Sequence, residues 1–371
     1  MKQQKLNIAI LVEILGNGGA ERSAGIISQI LTDLGHSVHM VTVTDVVEYE
    51  YSGKLLNLGI YKNQNNSIFN KWKRLFILKD YLKNNQVDLI IDFRFRQNLI
   101  KEVCISLLLY RNLKVVYAVH SYNIAYYFPQ NKKLVKLLFN KRAYIYTLTE
   151  GIKKRIIKEY ALPRIVVIPN GFDLEQFAAE KGNLLKIDPP FILAVGRMNV
   201  KIKQFDELIE TYAKSDLPGK GVDLRILGDG KLMQHYQEFA KKHGVEHSVY
   251  FEGFVEKPQS FYRQALFLVQ CSKFEGFPMV ILESLACGTP VIAMDCPTGP
   301  GELISERNGI LIENQNFDAL REAMNSLIAD ENRLAFLKSN SVESIEKYDI
   351  VPIAEKWKDF LNNIYGETKT D

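Results

Sequence analysis

Two carboxylates at a fixed spacing are the first feature of this 371-residue sequence that suggests chemistry. Glu275 and Glu283 are eight residues apart, which at a helical rise of ~1.5 Å per residue separates them by roughly 12 Å along the axis. Glycosidases use carboxylates ~5–9 Å apart, so this spacing argues against that reaction. It suits two carboxylates that bind hydroxyl groups at opposite ends of an extended ligand, such as a nucleotide sugar. Two ordinary acids flanking a helix would share the spacing, so the pair alone leaves both interpretations open.

The segment between these glutamates predicts the start of a helix that can bind phosphate. Pro278 suits the first helical position, and Gly288 suits the residue after the last turn. The unpaired N–H groups and the positive end of the helix dipole then lie beside Gly276, Phe277 and Met279, and Gly276 allows close approach of the backbone. A diphosphate is the ligand that we expect there.

Two cations follow a predicted strand at residues 191–195. Ligands of open parallel sheets bind at the carboxyl ends of the strands, so Arg197 and Lys203 are placed to neutralise a leaving diphosphate. Two surface cations near a turn are the simpler alternative.

Gly18 and Gly19 open the first predicted helix and can place a phosphate or an acceptor against backbone N–H groups. Gly16-x-Gly18 alone is too short for a dinucleotide fingerprint, so we do not expect a nicotinamide cofactor.

Short β-branched runs alternate with amphipathic segments, which predicts an α/β protein with two doubly wound, Rossmann-like domains in tandem. The predicted strands span 8–12, 38–42, 89–92, 115–119, 145–147 and 165–168, then 191–195, 223–227, 249–252, 266–270 and 290–293. The predicted helices span 20–34, 75–82, 100–109, 204–213, 232–243, 278–286 and 317–329. Turn formers at 169–173 and 181–190 place a linker between the domains. We predict domains at 1–173 and 174–348, followed by a helix at 349–371 that packs back toward the first domain.

Five segments in order resemble the motifs of retaining glycosyltransferases of family 4, which have the GT-B fold. The clearest is Glu275 to Glu283 with Ala286-Cys287-Gly288-Thr289-Pro290, which resembles the Glu-x7-Glu signature. The others are Gly16–Arg22, Ile168–Asp173, Val195-Gly196-Arg197 with Lys203, and Leu227–Gly230. The resemblance covers nearly the whole chain. It implies an acceptor-binding first domain and a nucleotide-sugar-binding second domain that face a central cleft.

The resemblance also implies roles for individual residues. Glu275 would orient the sugar, Glu283 would bind the ribose hydroxyls, and Arg197 with Lys203 would stabilise the diphosphate. His120, which closes the strand at 115–119, would contact the transferred sugar, although a lone histidine is more often structural.

Two further positions qualify this assignment. Backbone groups near Gly253 would border the base. The family usually has glycine directly after the lysine, whereas this sequence has Gln204. This difference would tilt the start of the helix and so bears on where Lys203 is placed.

The implied reaction moves a hexose or N-acetylhexosamine, with retention and most simply from a UDP-sugar, to a glycan or polyprenyl-diphosphate-linked glycan. The loop at 295–302 resembles those of enzymes of bacterial polysaccharide, lipopolysaccharide and lipid-linked oligosaccharide synthesis. We expect no cofactor and no metal, since no Asp-x-Asp motif is present to hold a divalent ion.

Charge is unevenly distributed along the chain. Residues 1–173 carry a net charge of +12 and residues 174–371 a net charge of −8. Basic clusters lie at Lys71-Trp72-Lys73-Arg74, at Lys132, Lys133, Lys136, Lys141 and Arg142, and at Lys153-Lys154-Arg155 with Lys158. Such residues attract anionic lipid, diphosphates or nucleic acid. With no apolar run of ~20 residues and no signal segment, we expect a cytoplasmic protein in peripheral contact with the inner face of the membrane. The four scattered cysteines fit reduced, packed thiols rather than a zinc site.

Other classes are less well supported. A nucleotide-sugar epimerase of similar fold needs its own carboxylate and histidine constellation, and a phosphorylase needs a pyridoxal-bearing lysine and a longer chain. A non-enzymatic nucleic-acid-binding protein would suit the basic half, but the acidic half and the absence of an aromatic-basic strand motif oppose it. We therefore expect no nucleic-acid partner.

Overall fold

The computed structural model describes residues 5–16, 18–65, 67–139, 143–179 and 186–366. It divides into two compact units. The first unit runs to Gly171 and includes the C-terminal helix from Ile350, and the second unit runs from Phe172 to Asp349. These divisions lie close to the predicted boundaries after residues 173 and 348.

A parallel sheet of seven strands forms the centre of the first unit, in the order β3-β2-β1-β4-β5-β6-β7. The strands are β1 (Asn7–Val12), β2 (Ser37–Thr42), β3 (Lys54–Asn57), β4 (Leu89–Asp92), β5 (Lys114–Val119), β6 (Ala143–Thr147) and β7 (Ile165–Val167). The order reverses between β1 and β4. In open α/β sheets, the crevice at the carboxyl ends of such neighbours is where ligands bind.

Helices connect these strands. They are α1 (Gly19–Asp33), α2 (Ile68–Asn84), α3 (Leu99–Leu108), α4 (Lys132–Phe139) and α5 (Glu150–Tyr160), with short 3-10 turns at Gly59–Tyr61 and Ile124–Tyr126. The nearly continuous apolar strands are buried, as expected for a parallel sheet covered by helices.

The second unit repeats this plan with six parallel strands in the order β10-β9-β8-β11-β12-β13. They are β8 (Phe191–Val195), β9 (Asp223–Leu227), β10 (Val249–Gly253), β11 (Leu268–Gln270), β12 (Val291–Met294) and β13 (Gly309–Ile312). Here the order reverses between β8 and β11. The helices are α6 (Leu174–Ala179), α7 (Phe205–Ala213), α8 (Met233–Lys242), α9 (Gln259–Gln264), α10 (Met279–Ala286), α11 (Pro300–Leu303), α12 (Phe317–Ala329) and α13 (Glu331–Asn340), with 3-10 turns at Lys201–Lys203, Pro218–Lys220 and Glu343–Tyr348.

The C-terminal helix α14 (Ile350–Gly366) belongs to the first unit, which confirms the prediction that it returns to the first domain. Its buried face consists of the five apolar residues expected from their spacing: Ile353, Trp357, Phe360, Leu361 and Ile364. The ring of Trp357 lies 4.9 Å from that of Tyr146 on β6, centroid to centroid. The hydroxyl of Tyr365 donates to the carbonyl of Asp88 at 3.1 Å.

Every predicted strand is present, but the two edge strands β3 and β13 were missed. Both are four residues long and only partly buried; β3 lacks a continuous apolar run, whereas β13 has a run of only three apolar residues after Gly309. The prediction of a helix at 75–82 was too short, since α2 begins at Ile68. Its cap is Ser67, whose hydroxyl accepts from the N–H of Asn70 at 3.3 Å. A serine three residues before that N–H is a capping signal that could have found this start.

None of the helices in the described ranges is both long and apolar enough to cross a bilayer.

Candidate functional site

The carboxyl ends of β8 and β11 are neighbours in the second sheet, and the predicted donor-binding residues follow them. Arg197 and Lys203 come after β8, and Glu275 comes after β11. The strand order therefore brings together two loops that are about 70 residues apart in the sequence, at the point where ligands of this fold class bind.

Lys203 and Glu275 form an ion pair at this point. Nζ of Lys203 lies 2.7 Å from Oε1 of Glu275, and the two side chains are 22% and 14% exposed. Nε2 of Gln270, the last residue of β11, donates to the same oxygen at 2.9 Å. The stem of Lys203 packs on Gly196, where a Cβ would lie 2.9 Å from Cγ of Lys203. The carboxylate is thus held by two donors, the ammonium of Lys203 and the amide of Gln270.

Arg197 is exposed, two residues beyond β8. Its loop rests on the turn after β9, where the N–H of Gly196 donates to Leu227 at 2.9 Å and that of Met198 to Asp229 at 2.8 Å. Gly228 has φ +132°, and a Cβ there would lie 2.0 Å from the carbonyl oxygen of Gly196. The glycine of this turn is therefore required by close approach of two backbones.

Helix α10 starts beside Glu275, as predicted, although at Met279 rather than Pro278, which is instead its cap residue. Phe277 and Pro278 are buried, while Gly276 and Met279 are partly exposed. The helix ends as expected, with Gly288 at φ +75°. Backbone N–H groups of the first turn thus lie next in sequence to the ion-paired carboxylate.

The estimate of 12 Å between the two glutamates assumed one continuous helix, and that assumption was wrong. Glu275 precedes the first residue of α10, so the helical rise does not apply to the whole interval. Glu283 lies inside α10 and is 8% exposed. Its Oε2 accepts from the hydroxyl of Tyr262 at 2.8 Å, which fixes the direction of the carboxylate.

Gly253 ends β10 with φ +71°, and its carbonyl accepts from the N–H of Gly228 at 2.7 Å. It therefore lies at the carboxyl edge of the same sheet, two strands from β8. Its predicted contact with the base remains a prediction.

In the first unit, Gly18 and Gly19 open α1 after β1. Gly18 caps the helix in an extended conformation and provides no side chain to the first turn. Gly19 is exposed, and a Cβ there would meet no atom within 4 Å. The carboxylate of Glu21 lies over this turn, since a Cβ on Gly18 would be 1.7 Å from its Oε2, so a phosphate or acceptor would have to displace that carboxylate.

His120 directly follows β5 and is buried against two aromatic rings. Its centroid lies 4.8 Å from that of Phe93 and 5.1 Å from that of Tyr146. Within the described residues neither ring nitrogen has a hydrogen-bond partner. Burial, together with the positive charge of Arg96, lowers the pKa of His120 to about 3. The imidazole is therefore neutral at physiological pH and keeps one donor and one acceptor for a ligand.

Comparison with known proteins assigns the family. Residues 17–176 match the model of Glycosyltransferase Family 4, and residues 175–343 match that of Glycosyl transferases group 1. The chain belongs to the family 4 glycosyltransferases.

Two relatives align along almost their full length. The chain is 27% identical to N-acetylgalactosamine-N,N'-diacetylbacillosaminyl-diphospho-undecaprenol 4-alpha-N-acetylgalactosaminyltransferase of Campylobacter jejuni, over 97% of this chain and 99% of the relative. It is 25% identical to the amylovoran biosynthesis glycosyltransferase AmsD of Erwinia amylovora, over 96% and 99%. The crystal structure of Anabaena HepE in complex with UDP-glucose superposes with a TM-score of 0.77 at 20% identity, covering 96% of this chain and 100% of HepE. The fold of the glycosyltransferase is thus GT-B.

A buried charge cluster in the first unit of the glycosyltransferase was not anticipated. Asp92, the last residue of β4, is fully buried and accepts from Arg94 Nε at 3.0 Å, from Arg94 Nη2 at 2.7 Å and from the hydroxyl of Tyr110 at 2.9 Å. Burial alone would raise the pKa of Asp92, but the charges of Arg94 and Arg96 hold it below its usual value. The carboxylate therefore stays ionised in the interior.

Arg96 completes this cluster through the backbone. Its guanidinium is fully buried and donates to the carbonyls of Asp92 and Arg94 at 2.9 Å, of Ala118 at 3.0 Å and of Tyr127 at 3.2 Å. It thereby ties the end of β4 to the end of β5, beside His120. The alternation Asp92-Phe93-Arg94-Phe95-Arg96 directly after a buried strand is the signal that could have found it.

A cavity of about 450 Å³ opens in the first unit of the glycosyltransferase, beside the ends of β1 and β2. Apolar residues of α2 and α3, including Leu75, Leu78 and Ile105, form much of its lining. The charged lining residues are Glu13, Lys62, Lys71, Arg74, Arg94 and Lys101, five cations and one acid. The cavity thus combines apolar walls with charged lining residues that are mostly cationic.

Helix α2, which lines part of this cavity, exposes four large apolar side chains among its lysines. Phe69 is 86% exposed, Ile68 70%, Phe76 51% and Trp72 40%. The predicted basic clusters lie on three separate helices: Lys71 to Arg74 on α2, Lys132, Lys133 and Lys136 on α4, and Lys153 to Lys158 on α5. Lys141 and Arg142 lie outside the described residues.

Proposed function

We propose that the protein is a retaining, metal-independent hexosyltransferase that moves a hexose or N-acetylhexosamine from a UDP-sugar to a glycan or lipid-linked glycan. It would act in the synthesis of a bacterial surface polysaccharide or oligosaccharide. The observation that carries the proposal is the Lys203–Glu275 pair at the junction of β8 and β11, directly before the start of α10. A cation for the diphosphate, a carboxylate for the sugar and a helix N-terminus converge there.

The donor site follows from that convergence. Lys203 and Arg197, with the N–H groups of Gly276, Phe277 and Met279, would stabilise the charge that develops on the diphosphate. The binding of UDP-glucose by HepE, which shares the fold, supports a uridine diphosphate donor. Glu283, oriented by Tyr262, would bind the ribose hydroxyls, and Gly253 would border the base.

Independence from metal rests on the same charges. Among the described residues, no group of three or more histidine, cysteine or acidic side chains is arranged to hold a metal ion. The cations and helix dipole would perform the charge stabilisation that a divalent ion performs in other transferases.

Retention is supported by one relative. The name of the Campylobacter enzyme specifies an alpha linkage, which is the outcome of retention when the donor is an α-linked nucleotide sugar. The acceptor would then attack the face from which the diphosphate leaves, and Glu275 would orient the sugar. His120, neutral and with two uncommitted nitrogens among the described residues, would contact the sugar.

The acceptor side is supported by the first unit. The Campylobacter relative acts on a glycan carried by diphospho-undecaprenol. The cavity, with apolar walls and mostly cationic charged residues, and the apolar side chains exposed on α2 suit a lipid carrier with an anionic head. The charge of +12 over residues 1–173 suits an anionic bilayer. We therefore propose peripheral contact with the inner face of the membrane.

The test is a panel of UDP-GalNAc, UDP-GlcNAc, UDP-Gal, UDP-Glc and GDP-Man, each incubated with acceptor lipid extract and chelator, with nucleotide release and product anomer as readouts. Wild type should release nucleotide from one donor, with an α-linked product, and Glu275→Ala should lose it. Glu210→Ala is the matched control, because it removes an exposed carboxylate that pairs with Lys214 on the same unit.

Two results would overturn the proposal. If chelator abolishes activity and Mg²⁺ restores it, the enzyme depends on a metal. If the product is β-linked, the reaction does not proceed with retention. An epimerised donor with no transfer would favour the epimerase alternative.

A further inference from the structure

Two glutamines in left-handed backbone conformations lie opposite each other in the second unit. Gln204 has φ +54° and Gln315 has φ +65°, and they are two of the four described non-glycine residues with positive φ. Glycine adopts this conformation readily, whereas a residue with a Cβ rarely does so unless other contacts hold it. Gln204 directly follows Lys203 and precedes α7, and Gln315 lies between β13 and α12.

The two side chains hold each other by a reciprocal pair of amide hydrogen bonds. Nε2 of Gln204 donates to Oε1 of Gln315 at 3.0 Å, and Nε2 of Gln315 donates to Oε1 of Gln204 at 2.8 Å. Each amide has one more partner: Gln204 donates to Glu207 at 3.3 Å, and Gln315 donates to Asn314 at 3.2 Å. Gln204 is only 2% exposed, whereas Gln315 is exposed, so water reaches the pair only from the side of Gln315.

The backbone of the same turn is tied to the strand that leads to Glu275. Sγ of Cys271, which follows β11, donates to the carbonyls of Lys203 and Gln204 at 3.4 and 3.5 Å. The N–H of Lys273 donates to the carbonyl of Ile202 at 2.9 Å. The main chain of the turn is therefore held by the residues that follow β11, and the side chain of Gln204 is held by the loop after β13.

We propose that the Gln204–Gln315 amide pair is a positioning device that sets the direction of Lys203 toward Glu275. A glycine at position 204 would adopt the same conformation without the amide pair, and the main chain beside Lys203 would then be held only from the β11 side. The amide pair adds a second restraint one residue from the catalytic cation. The proposal rests on the proposed function, because it assumes that Lys203 binds the donor diphosphate.

The experiment compares wild type with Gln204→Gly, Gln315→Ala and the double variant. Gln204→Gly removes the pair while relieving the left-handed conformation, so it should fold at least as well as wild type. Gln315→Ala removes the pair from the other side, without changing the residue next to Lys203. Gln234→Ala is the control, because Gln234 donates to Glu238 at 3.0 Å on the exposed face of α8 in the same unit.

The first readout needs no activity: the rate at which an N-hydroxysuccinimide ester acylates Lys203 in the full chain, measured by mass spectrometry of peptides. The ion pair with Glu275 slows this reaction in wild type. We expect about a tenfold faster reaction in each single variant, no further increase in the double variant, and the wild-type rate in Gln234→Ala. The second readout is donor turnover, in which kcat/KM should fall about tenfold in the same variants, with the loss mainly in kcat.

The outcomes separate the two proposals. Faster acylation in both single variants, with no donor turned over even by wild type, would support the positioning role and overturn the proposed function. Unchanged acylation in both, with only a lower melting temperature, would show that the pair merely joins two loops. Additive increases in the double variant would also overturn the proposal, since one shared restraint can be removed only once.

Discussion

The ammonium of Lys203 lies 2.7 Å from the carboxylate of Glu275, although the two residues follow different strands of the second sheet. The two groups neutralise each other in the structure, and Gln270 donates to the same carboxylate oxygen. Under the proposed function, a donor diphosphate would therefore have to compete with Glu275 for the lysine. The sugar hydroxyls would then donate to the carboxylate of Glu275 in place of the lysine.

This competition predicts opposite effects on nucleotide affinity for the two partners. In Glu275→Gln the amide no longer holds the ammonium, so UDP should bind as tightly as to wild type or more tightly, while donor turnover falls about 100-fold or more. Lys203→Met should weaken UDP binding about tenfold. Isothermal titration with UDP and turnover assays on the same samples measure both. Equal weakening in the two variants would show that the pair acts only to hold the loops.

Much of this site was predictable because its signals are local. The Glu275–Glu283 spacing, the glycines of the turn after β9 and the strand-end positions of Arg197 and Lys203 can be read without knowing the fold. The Lys203–Glu275 contact could not be read, because it depends on β8 and β11 being neighbours, and strand order is set by packing across the whole sheet.

The first unit shows the same limit. The strands β1, β2, β4 and β5 have apolar runs that predict them, whereas the edge strand β3 is only partly buried and has no such run. Arg96 reads as a surface cation in the sequence, yet it is fully buried among carbonyl oxygens that long-range folding brings together.

His120 predicts a pH dependence of stability. Its pKa in the folded protein is about 3 and its ordinary value is 6.5, so between these values the unfolded chain binds a proton that the folded chain does not. The stabilising contribution is complete above the ordinary pKa and is lost as the pH falls toward the folded value. From pH 7 to pH 5 it should amount to about 2 kcal/mol.

Tryptophan fluorescence during urea unfolding measures this contribution, because both tryptophans, Trp72 and Trp357, lie in the first unit with His120. Between pH 7 and pH 5, the free energy of unfolding of His120→Asn should fall by about 2 kcal/mol less than that of wild type. The pKa values of His36 and His39 are also lowered by burial, but both residues are present in both proteins, so their contributions to the difference cancel. His247→Asn, which removes an exposed imidazole, should behave as wild type, and an equal pH slope in His120→Asn would contradict the assignment.

The buried charges predict a large loss of stability on truncation. Arg96→Met leaves Asp92 with one cation fewer and removes donors from four buried carbonyls. We expect the free energy of unfolding of the first unit to fall by about 3–5 kcal/mol. Urea titrations followed by tryptophan fluorescence measure it, with Arg111→Met, at an exposed arginine of the same unit, as the control. A loss near that of the control would show that the cluster is dispensable.

The exposed face of α2 predicts binding to anionic bilayers. Phe69 and Phe76 are the two phenylalanines of that helix and both are exposed, and Lys71 and Lys73 lie between them in the sequence. Insertion of the rings would bury apolar area worth about 1.5–3 kcal/mol for each fully buried side chain, and each lysine near an anionic surface adds about 1 kcal/mol. Partitioning onto vesicles that contain phosphatidylglycerol should therefore fall at least about tenfold in Phe69→Ser/Phe76→Ser. It should fall in Lys71→Gln/Lys73→Gln as well, but only at low salt, because exposed charges are screened.

Fluorescence provides a direct signal for this contact. Trp72 is 40% exposed on α2 whereas Trp357 is fully buried, so a blue shift on adding vesicles reports on α2. Val351→Ser is the matched control, since Val351 is 66% exposed on α14 of the same unit. If wild type binds with no change in Trp72 emission, or if Val351→Ser weakens binding as much as the phenylalanine variant, then another surface contacts the bilayer and α2 does not.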